Sequence, residues 1–171
     1  GQPVAAPYDL ADMADDVAAL IVGLGFARAH VFGISMGGMV TQQMMIDHPD
    51  RLLSATIVMS SPGPSRIENA DQLILDRVGR EAYLATSVIG FQDWGSPGFP
   101  APDSYFRDKA ANAWDRGHDA DGVNRQFLAV LGSPDRREGL RRSAVRTLVI
   151  HGADDRLIGP EHGRALAALI P

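Results

Sequence analysis

One short segment, residues 33–38, constrains the fold of this chain more than any other. It reads Gly-Ile-Ser-Met-Gly-Gly. An apolar run, residues 29–32, leads into it, and an amphipathic run, residues 39–46, leads out of it. The short apolar run indicates a strand and the amphipathic run indicates a helix. The sequence therefore predicts a strand that turns sharply into a helix, with a serine at the bend and glycines on both sides.

Such a bend is typical of the nucleophile elbow of serine hydrolases. The tight turn puts Ser35 in a strained backbone conformation that projects its Oγ clear of the sheet. Side chains two positions before and after the serine would collide with the strand and the helix, which explains Gly33 and Gly37. The helix begins just after Ser35 and directs its N-terminal amides at the place where an oxyanion would form. The alternative is a strand-to-helix turn with an incidental serine.

The composition excludes several other classes of protein. The chain has 171 residues, enough for one domain, and its 45% hydrophobic residues suit a globular core. A net charge of -5 without a basic patch argues against a nucleic acid partner. The absence of cysteine excludes disulfides, thiol nucleophiles and thiolate metal sites. No apolar run has the length of a membrane span, and residues 1–7 lack the features of a signal peptide. We therefore expect a cytoplasmic protein without a membrane partner.

The first third of the chain alternates between helical and strand patterns. Apolar residues recur at helical spacing from Leu10 to Leu24, after Asp9 as a capping residue. The elbow strand and its helix follow, and His48-Pro49 ends that helix. Residues 52–59 form a near-continuous apolar run, which is expected of a strand covered on both faces. The order helix, strand, helix, strand predicts a parallel α/β sheet with flanking helices.

Between residues 65 and 142 the pattern changes to helices and polar loops. Helices are predicted over 70–78, 80–87, 105–114 and 122–131. A helical insertion between two strands is a cap. We therefore divide the chain into a first core part, 1–61, a cap, 62–143, and a second core part, 144–171. The cap carries eight of the 11 aromatic residues. We expect most of them to form the cap's own small core and one or two to line an apolar pocket over Ser35.

The strand and helix patterns resume with a third strand at 147–150 and a helix over 161–170. With the elbow, two further segments resemble the α/β-hydrolase superfamily. Residues 48–51, His-Pro-Asp-Arg, look like the family's end of the helix after the nucleophile. Residues 150–155, Ile-His-Gly-Ala-Asp-Asp, resemble the turn that carries the catalytic acid. The resemblance makes Asp155 the acid, with Asp154 as second choice. Three further segments are most similar to esterases of the aclacinomycin methylesterase type: 11–17, 29–33 and 115–126.

The resemblance implies acyl transfer on a small apolar ester, without a metal or an organic cofactor, and implies no oligomeric state. Ser35 would attack the ester carbonyl, and a histidine held in the useful tautomer by Asp155 would take its proton. The backbone amide of Met36 would donate one hydrogen bond to the oxyanion. Two alternatives stay open. One is other cofactor-free chemistry of the superfamily, on C–C bonds, lactones or peracids. The other is a non-catalytic relative that binds a ligand or a partner.

The resemblance also places part of the family fold outside this chain. The catalytic histidine follows one further strand after the acid and its helix, and several strands, with the loop of the second oxyanion amide, precede the first helix. The five histidines present occupy other positions, and only His118, in the cap, could approach Ser35. We therefore expect the central part of an α/β-hydrolase. Its three strands should leave an open apolar edge and face, and the 171 residues alone should have little or no esterase activity.

Overall fold

The computed structural model of this chain describes residues 6–63 and 76–171. Three strands form one parallel sheet in the order β1-β2-β3, which confirms the predicted α/β class with flanking helices. A short 3-10 turn, Pro49–Arg51, leads into β2. In chain order the elements are α1 (Leu10–Gly23), β1 (Ala29–Ile34), α2 (Met36–Asp47), β2 (Leu52–Val58), α3 (Arg80–Trp94), α4 (Asp103–Asp115), α5 (Ala120–Leu131), α6 (Arg137–Arg141), β3 (Thr147–Ile150) and α7 (Pro160–Leu169).

The first two helices begin and end where the sequence predicts. Asp9 caps α1: its carboxylate accepts the amides of Ala11 and Asp12, and the carboxylate of Asp12 accepts the amide of Asp9. This reciprocal arrangement satisfies donors that have no partner inside the helix. His48 follows the last residue of α2, and its Nε2 lies 2.6 Å from Oδ1 of Asp15. The end of α2 is thereby tied to α1.

One hydrophobic core lies on a single face of the sheet. Helix α2 is at its centre and packs on α1, β1 and β2, while α6 and α7 extend the same core. The largest apolar side chains that are fully buried in this core come from all of these elements except β1: Leu10, Met44, Met45, Ile57, Leu140 and Leu166. This core positions the end of β1, where the predicted elbow lies.

The opposite face of the sheet is open within the described part of the chain. Phe32 of β1 and Leu148 of β3 lie on this face and are 62% and 56% exposed. The predicted open apolar face is therefore present. The expectation that β2 is covered on both faces is wrong for the described residues. The helices of the core, α1, α2, α6 and α7, lie on one side of the sheet, and β2 presents the half-buried Ser54 and Thr56 to the other.

The segment between β2 and β3 is helical, as predicted, but its helices differ in length. Helix α3 continues seven residues beyond its predicted end at Ser87, α4 starts two residues early, and the short α6 was not predicted. The helix expected over 70–78 lies largely outside the described residues, and its described end is not helical. The cap boundaries themselves stay a prediction.

Within this segment α3 packs against α4. Ring contacts join Tyr83 to Trp114, and Phe91 and Tyr105 to Phe106. Trp94 and Phe99 are exposed instead. None of the described helices is both long and apolar enough to cross a membrane.

Candidate active site

Ser35 lies at the bend between β1 and α2, at the carboxyl edge of the sheet. Its backbone has φ 53° and ψ -117°, a strained conformation for a residue with a side chain. Such a conformation costs about 1–3 kcal/mol and persists only where the surrounding structure enforces it. The amide of Ser35 donates a 2.9 Å hydrogen bond to the carbonyl of Val58, which continues the sheet past the strand end. The strained serine expected from the sequence is therefore present.

Two glycines, Gly33 and Gly38, permit this tight bend. The sequence predicts a steric role for Gly33 and Gly37, so it is right about only one of the two. A Cβ at Gly33 would lie 2.2 Å from the carbonyl oxygen of Gly37 and 2.4 Å from Oγ1 of Thr41. A Cβ at Gly37 would have no neighbour within 4 Å in the described structure, so the steric role predicted for it is wrong. Gly38 has that role, because its Cβ would lie 2.7 Å from Cβ of Ser60. Successive helical residues point about 100° apart, and Gly38 is the one that faces β2.

Helix α2 begins at Met36, directly after Ser35. The Met36 amide is therefore among the N-terminal donors that have no carbonyl partner within the helix. Ser35 stands at the N-cap position, yet its side chain makes no capping hydrogen bond. Its hydroxyl is thus not consumed by the helix. The first amides of α2 form a positive helix end beside that hydroxyl.

The predicted acid turn follows β3. Oδ1 of Asp155 accepts the amides of Leu157 and Ile158, both at 2.9 Å. Its Oδ2 lies 3.4 Å from Nε2 of His151, and the Asp155 side chain is only 14% exposed. These contacts hold the carboxylate in one orientation. Asp154, the second choice from sequence, is exposed.

The sheet register brings the elbow and the acid turn to the same edge. Ile34, Val58 and Ile150 are paired in one row across the three strands. Ser35 follows the first of these residues directly, and Asp155 comes five residues after the last. Neighbouring strands lie about 4.8 Å apart, so the ends of β1 and β3 are separated by about 10 Å. That gap is wide enough for an imidazole ring between the two side chains.

Each of the five histidines has contacts with residues other than Ser35. Four have polar contacts: His30 with Ser54, His48 with Asp15, His151 with the carbonyl of Ile158 and His162 with Glu161. The ring of His118, the one histidine that could approach Ser35, is tilted against Tyr83 and stacked on Trp114 in the cap segment. His151 directly follows β3, and its side chain is 7% exposed. The five histidines thus serve other contacts in this part of the protein.

Comparison with known proteins identifies the family. The sequence profile of the family described as alpha/beta hydrolase fold matches residues 2–171. The chain belongs to this family. A Caulobacter sp. (strain K31) protein named carbamate hydrolase RutD is 29% identical to this chain over 185 residues. The match covers 96% of the chain and 62% of that relative.

Solved structures agree with this assignment. A hydrolase from Pseudomonas aeruginosa PA01 superposes with a TM-score of 0.74 at 27% identity, over 96% of the chain and 61% of that structure. The enol-lactonase from Burkholderia xenovorans LB400 superposes with a TM-score of 0.69 at 25% identity, over 97% and 63%. The chain thus spans less than two thirds of the length of each of these relatives. Two of the three relatives have names that give a substrate, a carbamate and an enol lactone, and the third is named only as a hydrolase.

Sequence reasoning missed a buried polar network beside the elbow of this α/β-hydrolase chain. It consists of Gln42 of α2, Ser60 after β2 and Arg136 before α6, of which Arg136 is 3% exposed. Burial lowers the pKa of Arg136 to about 10, and the charge of Asp135 offsets this effect only in part. Arg136 is therefore still charged at neutral pH. The one signal for this network in the sequence is Gln42, a polar residue among the methionines on the apolar face of α2.

Proposed function

We propose that the protein that contains this chain is a serine hydrolase that cleaves carboxylic esters through an acyl-enzyme, similar to esterases of the aclacinomycin methylesterase type. The backbone of Ser35 is the observation that supports this most. A positive φ at a non-glycine residue, in a bend that the missing side chain of Gly33 permits and at a helix N-terminus, is costly without a function. It leaves a hydroxyl with no capping role beside backbone amide donors.

In this proposal Oγ of Ser35 attacks the carbonyl carbon of the ester. The Met36 amide donates a hydrogen bond to the carbonyl oxygen as it becomes negative, and one such donor contributes about 3 kcal/mol. A histidine from the part of the protein outside this chain takes the Ser35 proton and gives it to the leaving alcohol. Water then attacks the acyl-enzyme by the same proton transfers in reverse. No step requires a metal or an organic cofactor.

The surroundings of Asp155 are suited to its role in this mechanism. Two backbone amides occupy Oδ1, which fixes the carboxylate plane. Oδ2 has only a long contact with His151 and can accept the N–H of the incoming histidine. Asp155 would thereby hold that histidine in the tautomer that presents its other nitrogen to Ser35.

The substrate in this proposal is a small apolar ester, and exposed aromatic side chains of the cap segment, such as Trp94 and Phe99, offer apolar surface for it. A second candidate is hydrolysis of a carbamate or a lactone. It is favoured by the names of two relatives, a carbamate hydrolase and an enol-lactonase. All three reactions use the same serine attack on an acyl carbon. A panel of p-nitrophenyl esters, carbamates and lactones separates them by kcat/KM.

A fluorophosphonate probe tests the nucleophile in the full-length protein. We expect mass spectrometry to find the probe on Ser35, and Ser35→Ala to abolish both labelling and ester turnover. Ser54→Ala is the matched control, because Ser54 lies on β2 and bonds to His30 instead. The 171 residues alone should show little turnover. A folded full-length protein that hydrolyses nothing in the panel and is not labelled at Ser35 would be a ligand-binding relative, contrary to the proposal.

A further inference from the structure

A chain of three hydrogen bonds connects Arg136 with the backbone carbonyl of Ser35. Nε of Arg136 donates to Oε1 of Gln42 at 3.1 Å. Nε2 of Gln42 donates to Oγ of Ser60 at 3.2 Å, and that hydroxyl donates to the Ser35 carbonyl at 2.9 Å. A guanidinium can only donate, so the oxygen of Gln42 must face it and its nitrogen must face Ser60. The direction of the whole chain is thereby fixed, and it ends on Ser35.

The network is costly to bury, which argues that it has a purpose beyond packing. Gln42 and Ser60 are fully buried, and among the described residues no carboxylate is in ion-pair contact with the guanidinium of Arg136, whose burial the charge of Asp135 offsets only in part. A buried charge is expensive unless hydrogen bonds satisfy it. Arg136 meets this need with the Gln42 amide and with the carbonyls of Ser61 and Pro134, at 3.0 and 3.4 Å. Apolar side chains could fill the same space at lower cost.

The carbonyl at the end of the network belongs to the same peptide unit as the Met36 N–H. A peptide unit is planar and trans, so its C=O and N–H point in opposite directions within one rigid plane. A hydrogen bond that fixes the Ser35 carbonyl therefore also fixes the direction of the Met36 N–H. The amide of Met39 binds the same carbonyl oxygen at 3.2 Å, as the first turn of α2 requires. Ser60 supplies a second donor from outside the helix.

Arg136 also holds together both connections of the cap segment. Its backbone amide donates to the carbonyl of Pro62 at 3.2 Å, and its Nη2 donates to the carbonyl of Ser61. Residues 61–63 stand at the start of the predicted cap, 62–143, and residues 134–136 stand near its end, directly before α6. The position of Arg136, and with it the first donor of the network, therefore depends on how these two connections meet.

We propose that Arg136, Gln42 and Ser60 are positioning residues that hold the Met36 amide in the direction needed to bind an oxyanion. Because Arg136 contacts both connections of the cap segment, these residues also make the direction of the Met36 N–H depend on how the two connections pack together. This inference rests on the proposed function, in which the Met36 amide is the oxyanion donor.

Two near-isosteric variants of the full-length protein test it. Ser60→Ala removes the donor to the Ser35 carbonyl. Gln42→Glu keeps an acceptor for Arg136 but has no N–H for Ser60, so the Ser60 hydroxyl turns to the new carboxylate and leaves Ser35. We expect kcat for p-nitrophenyl butyrate to fall about tenfold in both, less than for the loss of an oxyanion donor, with KM within about twofold. The affinity for a trifluoromethyl ketone should weaken by the same factor, because Ser35 adds to it and forms an oxyanion.

Thr41→Val is the matched control. Thr41 is buried on the same helix, and its hydroxyl donates to the carbonyl of Gly37 at 2.9 Å. The variant loses the same kind of bond as Ser60→Ala but not one to the Ser35–Met36 peptide. We expect a similar loss in Tm with kcat and ketone affinity unchanged. If Ser60→Ala lowers kcat no more than Thr41→Val does, the network is structural only and the inference is wrong.

The ¹⁵N chemical shift of Met36 in the ligand-free protein gives a second, activity-independent readout. A change in the hydrogen bond to the Ser35 carbonyl should move this resonance in Ser60→Ala and Gln42→Glu, but not in Thr41→Val. If the Met36 resonance does not move in these variants while the fluorophosphonate still labels Ser35, the inference about the network is wrong and the proposed function is unaffected. A moved resonance in a protein without fluorophosphonate labelling would support the positioning of the peptide and contradict the proposed function.

Discussion

Gly163 of α7 lies directly against His151: a Cβ at Gly163 would be 2.7 Å from Nδ1 and 2.8 Å from Cβ of that histidine. The His151 side chain is 7% exposed, and its Nε2 donates a 2.7 Å hydrogen bond to the carbonyl of Ile158. Its Nδ1 is buried without a partner in the described structure. The missing side chain at Gly163 thus makes room for the imidazole that supports the acid turn.

Gly163→Ala should therefore disturb the acid turn. The added methyl group overlaps His151, and overpacking of this kind costs about 1–3 kcal/mol. The higher helix propensity of alanine recovers up to about 1 kcal/mol of this. We expect a lower urea midpoint together with a lower kcat, since His151 contacts Ile158 and Asp155. Gly152→Ala is the control, because its Cβ would meet nothing closer than 3.9 Å. Equal midpoints for the two variants would show that α7 can move away from His151.

Asp155→Asn separates the two candidate acids. The asparagine Oδ1 can still accept the amides of Leu157 and Ile158, so the turn should keep its shape. The amide cannot stabilise a charged histidine, and in a serine triad this change lowers kcat about 10⁴-fold. Asp154→Asn should change kcat less than about twofold, because Asp154 is exposed. The opposite order of effects on p-nitrophenyl ester turnover would make Asp154 the acid.

Alanine at two glycines of the elbow should have opposite effects on stability. Gly33→Ala would place a methyl group 2.2 Å from a backbone oxygen that cannot move without unwinding α2, so we expect a loss above about 3 kcal/mol. Gly37→Ala lies in a helix with open space around it and should be neutral or gain up to about 1 kcal/mol. Chemical unfolding of both variants checks this. A stability loss at Gly37 as large as that at Gly33 would contradict the geometry described for the bend.

The elbow and the acid turn could be predicted from sequence because each is a local pattern. A strand, a serine between glycines and a helix fit within about 20 consecutive residues, and the three strands were found by their apolar runs. The choice between Gly37 and Gly38 was wrong because both are glycines, and only the direction of α2 decides which one faces Ser60. The five residues of α6 are too few to show a helical period.

The network around Arg136 could not be predicted for a different reason. Arg136 and Gln42 are 94 residues apart, and nothing in the neighbouring sequence of either indicates the other. Arg136 stands among charged residues in a segment that reads as exposed, and Arg137 next to it is indeed exposed and paired with Asp135. Burial of one of two adjacent arginines is decided by the meeting of two distant loops. Such contacts are properties of the tertiary structure alone.

Between pH 7 and about pH 9, Arg136→Lys should give the protein a pH-dependent stability that Arg136 does not give the wild type. Burial holds the pKa of Arg136 at about 10, below its usual range, so its protonation is the same in the folded and unfolded states up to about pH 9. An unfolded lysine has a pKa of about 10.4, and the same burial lowers the pKa of the folded lysine. At a pH between the pKa of the folded lysine and the pKa of the unfolded lysine, the unfolded state binds more protons than the folded state. The free energy of unfolding therefore rises with pH in that range.

We therefore expect Arg136→Lys to be least stable at neutral pH and to recover as the pH approaches about 10. Urea unfolding at intervals from pH 7 to pH 10 measures this slope against the wild type. Arg137→Lys is the matched control, because its side chain is half exposed and paired with Asp135, and its profile should follow that of the wild type. A parallel profile for Arg136→Lys would mean that the shorter side chain brings its ammonium group to solvent, and that the Arg136 site is less closed than its contacts indicate.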